Sequence, residues 1–151
     1  MDFNLSPEIE DYRRRVASFV ESHVMPLEVD AKNYDEHENL KTSVVDELRA
    51  KARDQGLWGF QMPKSRGGTE LGVQGMAACY EAAARSPFGP LAFNCAPPDD
   101  GNMIVLNKIL ATEALKDQWL QPIIDGKARS AFAMTEPDGG CGSDPSLTYT
   151  R

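Results

Sequence analysis

The sequence has little histidine and cysteine. Its two histidines, His23 and His37, lie in different predicted segments, and the cysteines Cys79, Cys95 and Cys141 are widely separated with no Cys-x-x-Cys pair. Structural zinc sites need closely spaced ligands, and disulfide frameworks need an even set of cysteines. The sequence therefore predicts no metal site and no disulfide framework.

Long apolar runs are also missing. No stretch reaches the roughly 18 apolar residues of a membrane-spanning helix, and residues 1–4 lack both the basic and the apolar part of a signal peptide. We therefore expect no membrane span and an intracellular location, which would be cytoplasmic, or mitochondrial or peroxisomal in a eukaryotic cell.

Positive charge is scarce. The formal net charge is -7, and the longest basic run, residues 13–15, follows the acidic Glu10 and Asp11. Nucleic acids and anionic membranes are bound through basic patches that neutralise phosphates. The charge pattern therefore argues against both partners and makes the basic run one face of a solvated helix.

Familiar catalytic and nucleotide-binding motifs are absent as well. There is no Gly-x-Ser-x-Gly elbow and no Walker loop, and Cys95 has no obvious base partner. Glu136, beside Pro137, is the one carboxylate whose position looks particular, although it could simply anchor a turn. A hydrolase is therefore disfavoured.

What the sequence does contain is helical periodicity. Apolar residues recur at helical spacing in five segments, 6–34, 42–55, 73–85, 100–110 and 112–125. Ser6 is placed as the N-cap of the first helix with Pro7 as its first residue, whereas Pro26 should bend or interrupt it. Gly56 should end the second helix.

The last residues have a different pattern. Residues 130–135 alternate like a strand, Pro137 and the glycines of 139–142 indicate a turn, and residues 147–150 can start a returning strand. Two strands do not make a stable sheet. The prediction is thus a mainly α protein, with an N-terminal helical domain over 1–128 and the first strands of an incomplete β domain over 129–151. We expect the natural protein to continue.

Four motifs in this order resemble the amino-terminal part of the acyl-CoA dehydrogenase family. They are the loop 63–68 followed by Leu71 and Gly72, the segment 119–126, Phe-Ala-Met-Thr-Glu-Pro at 132–137, and Gly-Ser-Asp at 142–144. The last two are fairly specific together. Residues 93–103 further resemble the subgroup of family members 10 and 11.

The resemblance implies FAD as cofactor and an acyl-CoA thioester as substrate. It assigns flavin contacts to Phe132, Met134, Thr135, Gly142 and Ser143, and substrate contacts to Ser143, Gly101 and Asn102. The turn before Ser143 is one residue longer than in well-known members, so the register of residues 139–141 stays open. The family's catalytic glutamate would lie beyond Arg151, so no catalytic residue is assigned.

The implied reaction removes the α proton of an acyl-CoA and passes the β hydride to flavin, which gives the 2,3-enoyl-CoA. The resemblance also implies a homo-oligomer and electron-transferring flavoprotein, or a similar acceptor, as partner. The 151-residue chain alone is expected to be inactive. Two alternatives stay open: a non-catalytic helical interaction module of the same fold, and a related acyl-CoA oxidase or nitroalkane oxidase. Acyl chain length is also open.

Overall fold

The computed structural model describes residues 4–133, Thr135 and Ser146, and this part of the chain is mostly helical. The α-helices are α1 (Pro7–Phe19), α2 (Thr42–Asp54), α3 (Gly72–Ala83), α4 (Gly89–Ala92), α5 (Asp99–Ile109), α6 (Glu113–Leu115) and α7 (Gln121–Ile124). Two π-helical segments, Val20–Val24 and Lys116–Leu120, and three 3-10 turns, Met25–Leu27, Ala31–Asn33 and Lys64–Arg66, lie between them.

Helix α1 begins as the sequence predicts and ends earlier. The Ser6 side-chain oxygen accepts a hydrogen bond from the Ile9 backbone N–H at 3.3 Å, and Pro7 is the first helical residue. After Phe19 the helix widens into the π segment, and Pro26 lies in a 3-10 turn. Proline has no N–H to donate, so the α-helical pattern cannot continue to residue 34.

Helices α1, α2 and α3 enclose the larger apolar core. Helix α2 contributes the predicted stripe, and Gly56, at φ +68°, follows its C-cap as expected. Helix α3 packs against α1, and its buried residues are all small, including Gly75, where an added Cβ would lie 2.6 Å from Cβ of Leu71. Fully buried members of this core include Val16, Val20, Leu57, Phe60, Cys79 and Phe93.

The predicted fifth helix is not one regular helix. It consists of α6, the π segment Lys116–Leu120 and α7, with Thr112 as N-cap and Gly126 after the end. A π turn inserts an extra residue into a helix and so changes which of its side chains face the core. As a result Leu120 is buried while Trp119, predicted on the same apolar face, is 57% exposed. Helix α4 was not predicted.

The predicted strand at 130–135 is not formed over residues 130–133, which carry no strand pairing. A strand requires a hydrogen-bonded neighbour, and its predicted partner at 147–150 lies outside the described residues, as does the turn at 137–142. The one β contact in the described part is an isolated bridge between Tyr34 and Leu40. Within the same part, no helix has the length and apolar character needed to cross a membrane.

Candidate functional site

The first turn of α5 lies against the segment that leads to the predicted flavin residues. Asp99, the first residue of α5, is only 2% exposed. Its carboxylate accepts hydrogen bonds from the Ser130 backbone N–H and hydroxyl, both at 2.7 Å, and from Nε of Arg129. A buried carboxylate is stable in a fold only when such donors replace water.

Asn102 extends this network. Its side-chain amide donates to the Ser130 hydroxyl oxygen at 2.9 Å. We call Asp99, Asn102, Arg129 and Ser130 the Asp99 cluster. It brings a predicted substrate residue, Asn102, next to the chain segment that contains Phe132, over a sequence separation of about thirty residues.

The remaining described candidates are open to their surroundings. Phe132 is 69% exposed, and Thr135 and Gly101 are also exposed. A Cβ added at Gly101 would meet nothing within 4 Å. All three positions are therefore accessible from outside the described part of the chain. Met134, Gly142, Ser143 and Glu136 lie outside the described residues.

A tyrosine and a carboxylate form a second contact beside the cluster. The Tyr80 hydroxyl donates to Oδ1 of Asp100 at 2.5 Å. Burial raises the pKa of Asp100 above its ordinary value, and the Tyr80 hydrogen bond opposes that shift. Burial also raises the pKa of Tyr80, with the bond to Asp100 adding to the effect. The tyrosine is therefore a hydrogen-bond donor here, not a base.

The free cysteines Cys79 and Cys95 are both buried. Burial raises the pKa of the Cys79 thiol to about 11 and also raises that of Cys95. A thiol in this state is a poor nucleophile. The described residues also contain no group of three His, Cys, Asp or Glu side chains that could hold a metal ion.

Sequence reasoning missed Asp99, Arg129 and Ser130. Acidic residues at the start of a helix are ordinary because they favour the positive end of its dipole. Nothing local marks Asp99 as the partner of residues 129 and 130. The pairing joins the first turn of α5 to an irregular segment after α7, so no signal in the sequence could have found it.

Comparison with known proteins decides the family. Residues 6–127 match the family model described as acyl-CoA dehydrogenase, N-terminal domain. The chain belongs to the acyl-CoA dehydrogenase family. The predicted family and the predicted N-terminal helical domain are thereby confirmed.

Several acyl-CoA dehydrogenases are similar to the chain. The Mycobacterium tuberculosis protein named probable acyl-CoA dehydrogenase FadE2 is 38% identical over 141 residues, which are 91% of this chain and 34% of that protein. Human acyl-CoA dehydrogenase family member 11 is 36% identical over 130 residues, 82% of this chain and 16% of that protein. Similarity to member 11, and to mouse member 10 at 33% identity, agrees with the predicted subgroup.

A solved structure from Mycobacterium abscessus, provisionally named as an acyl-CoA dehydrogenase, superimposes with a TM-score of 0.76 at 35% identity. The match covers 90% of this chain and 36% of that one. The chain thus spans about a third of the length of the bacterial relatives and 16% of the human one.

Proposed function

We propose that the protein containing these residues is an FAD-dependent acyl-CoA dehydrogenase that oxidises an acyl-CoA to the 2,3-enoyl-CoA. The observation that carries the proposal is the family match over residues 6–127. The names of the relatives support the reaction class, because FadE2 and members 10 and 11 are all named as acyl-CoA dehydrogenases.

In this proposal the described residues Phe132 and Thr135 form one edge of a flavin site. The exposed Phe132 ring would lie against the isoalloxazine, and the Thr135 hydroxyl would donate a hydrogen bond to it; Met134, Gly142 and Ser143 are proposed for the same wall from the resemblance alone. FAD, when bound, accepts the hydride. The chain's own contribution would be to position and tune it.

The substrate side of the proposal rests on the start of α5. Gly101 leaves open space where a side chain would stand, so an acyl chain could pass close to the helix backbone. The Asn102 side chain, which donates a hydrogen bond to Ser130, would line one side of the acyl chain. Ser143 would contact the thioester portion of the substrate. Proton abstraction is assigned to a carboxylate beyond Arg151, and a homo-oligomer and an electron-transferring flavoprotein are the proposed partners.

The experiment is made on the purified full-length protein that contains these residues. We expect a flavin absorption spectrum, and we expect saturated acyl-CoA substrates to bleach it and to reduce an artificial electron acceptor. A series of acyl chain lengths identifies the preferred substrate. A protein that has no flavin, and takes up none after incubation with FAD, would refute the proposal. Rapid reoxidation by oxygen alone would favour the oxidase alternative.

Thr135 can be tested with a matched pair of variants. Thr135→Val removes the hydroxyl while keeping the shape, and it should weaken flavin binding or slow flavin reduction by the equivalent of one hydrogen bond, about 0.5 to 1.5 kcal/mol. Thr135→Ser keeps the hydroxyl and should retain both properties. Equal behaviour of the two variants and the wild type would remove Thr135 from the site.

The activity and FAD binding of the 151-residue chain by itself are tested separately. We propose that it neither turns over acyl-CoA nor binds FAD with submicromolar affinity. Cofactor sites bury most of their ligand, and these residues are assigned to one wall only. Isothermal titration with FAD and an acyl-CoA turnover assay on the chain check this. Submicromolar binding would show that the site is more complete than proposed.

A further inference from the structure

A cavity of about 590 Å³ lies between α2, α4 and residues 126–129, and none of the predicted flavin residues in the described part of the chain lines it. One side is apolar, and the other contains the cationic side chains Arg49, Lys127 and Arg129 together with Asp46. The volume is in the range of small-molecule sites. A cationic wall is unexpected in a chain with a formal net charge of -7.

Arg49 is the central cation of this wall. Its side chain is half-buried, and its Nε donates to the Leu91 backbone oxygen at 3.2 Å. Among the described residues no carboxylate forms an ion pair with it, and its two terminal nitrogens have no hydrogen-bond partner. Burial lowers the pKa of Arg49 and the neighbouring charge of Arg129 lowers it further, whereas the carboxylates of Asp46 and Asp99 oppose the shift.

The other two cations have carboxylate partners of their own. Arg129 donates through Nε to Asp99, and Lys127 lies 2.8 Å from Asp125. Those carboxylates are therefore already engaged. Arg49 is thus a half-buried guanidinium next to a second one, and an anion in the cavity would gain two cationic partners.

We propose that this cavity binds an oxyanion, either a carboxylate or a phosphate group, through the guanidinium groups of Arg49 and Arg129. The planar guanidinium presents parallel N–H donors that match two oxygens of such a group. Its two free terminal nitrogens make Arg49 the main ligand. The apolar side, formed by Leu40, Val45, Phe88 and Leu91, can accept an organic part attached to the anion.

Titration of the isotopically labelled chain with sodium phosphate, and separately with sodium acetate, tests this proposal. Both are compared with sodium chloride at equal ionic strength. Amide NMR shifts should be confined to residues 39–49, 88–91 and 126–129, which line the cavity, and should saturate. The anion with the tighter saturation identifies phosphate or carboxylate as the group recognised.

Variants localise the effect. Arg49→Gln should weaken binding of the preferred anion about tenfold, because it loses a charge-assisted hydrogen-bonding partner. Arg49→Lys keeps the charge but loses the planar fork and should weaken it several-fold. Lys51→Gln changes the net charge of α2 by the same amount on an exposed side chain outside the cavity and should bind like the wild type. Helical circular dichroism verifies that each variant is folded.

Two results would overturn the proposal. One is the absence of saturable shifts beyond those caused by chloride. The other is an equal loss of binding in Arg49→Gln and Lys51→Gln, which would indicate a general charge effect and no site in this cavity.

Discussion

Asp99 is a nearly inaccessible carboxylate that organises several donors from one distant segment. Its partners are the Arg129 side chain and both the backbone and the hydroxyl of Ser130. Removing one member of such a buried set leaves the others without their hydrogen bonds. This is the residue-scale feature that places the segment before Phe132 against α5.

Asp99→Asn should destabilise the fold by about 1 to 3 kcal/mol, because the amide replaces one acceptor oxygen with a donor that faces other donors. Asp11→Asn is the control, since Asp11 lies on the exposed face of α1 in a surface ion pair with Arg14. That variant should change stability by less than about 1 kcal/mol. Urea unfolding followed by circular dichroism compares the two. Equal losses would contradict a special role for Asp99.

At the scale of elements, the connections between helices depend on side chains that bond to backbone. Asn94 lies between α4 and α5, is 3% exposed, and has a left-handed φ of 57°. Its amide nitrogen donates to the carbonyls of Ile123 at 3.0 Å and Ile124 at 3.2 Å at the end of α7, where the last carbonyls lack partners within the helix. The Ile123 oxygen also accepts from the Gly126 backbone N–H, and the Ile124 oxygen from the Trp58 indole. This residue therefore links the connection between α4 and α5 to the end of α7.

Two substitutions of Asn94 separate its backbone role from its hydrogen bonds. Asn94→Gly keeps the left-handed conformation and loses the bonds, which should cost about 1 to 3 kcal/mol. Asn94→Ala loses the bonds and also places a Cβ in the left-handed region, which should add roughly 1 kcal/mol. Thermal and urea unfolding measure both. An alanine variant as stable as the glycine variant would mean that the loop relaxes its conformation.

Close backbone approach makes Gly89, at the start of α4, sensitive to substitution. A Cβ there would lie 2.0 Å from the Ala83 carbonyl oxygen, whereas one at Gly101 meets nothing within 4 Å. We expect Gly89→Ala to destabilise by roughly 3 kcal/mol through overpacking. Gly101→Ala should be neutral or stabilise slightly, by up to about 1 kcal/mol. Differential scanning calorimetry tests both, and a tolerated Gly89→Ala would show that α4 can shift.

For the molecule as a whole, the described residues form two apolar clusters joined by polar contacts. Trp58 donates its indole N–H to the Ile124 carbonyl at 2.9 Å, while the guanidinium of Arg53 lies 3.9 Å over its ring. Arg66 forms ion pairs with Glu113 and Asp117, which joins the loop after Trp58 to the segments before α7. Unfolding should therefore be cooperative across these clusters.

The pH dependence of global stability should contain a contribution from Asp100. Its pKa is raised in the folded protein, chiefly by burial, so the folded state holds this proton to higher pH than the unfolded state does. The resulting stabilisation is complete below the ordinary pKa of 3.8 and is lost as pH rises through the folded pKa. Asp100→Asn cannot titrate. Its stability relative to wild type should therefore increase from about pH 4 to pH 7.

Glu113→Gln provides the opposite comparison for this experiment. The hydrogen bond from Arg66 lowers the pKa of Glu113, so its contribution is present above its ordinary pKa and is lost as pH falls. Relative to wild type, this variant should lose stability as pH rises from below the folded pKa of Glu113 to just above its ordinary value of 4.5, with little further change up to about pH 7. Urea unfolding of the three proteins at several pH values measures the slopes. Parallel slopes for both variants would contradict the assignment.

The sequence by itself determined the helices, several of their ends and the family. Ser6, Gly56 and the apolar stripe of α2 act through neighbours within one or two turns, so their consequences can be deduced from spacing alone. The family resemblance also pointed to Gly101, Asn102, Phe132 and Thr135 as candidates. Whether they bind flavin or substrate stays a prediction.

Only the tertiary structure revealed which distant polar groups meet, including the contact of Asn102 with Ser130. Asp99 meets Ser130, and Asn94 meets Ile124, across about thirty residues, and no local pattern specifies which distant polar group will be the partner. The exposed position of Trp119 depends on a π turn that ordinary helical periodicity does not predict. Local hydrogen bonding sets helix positions, whereas burial of polar groups is decided by how the helices pack.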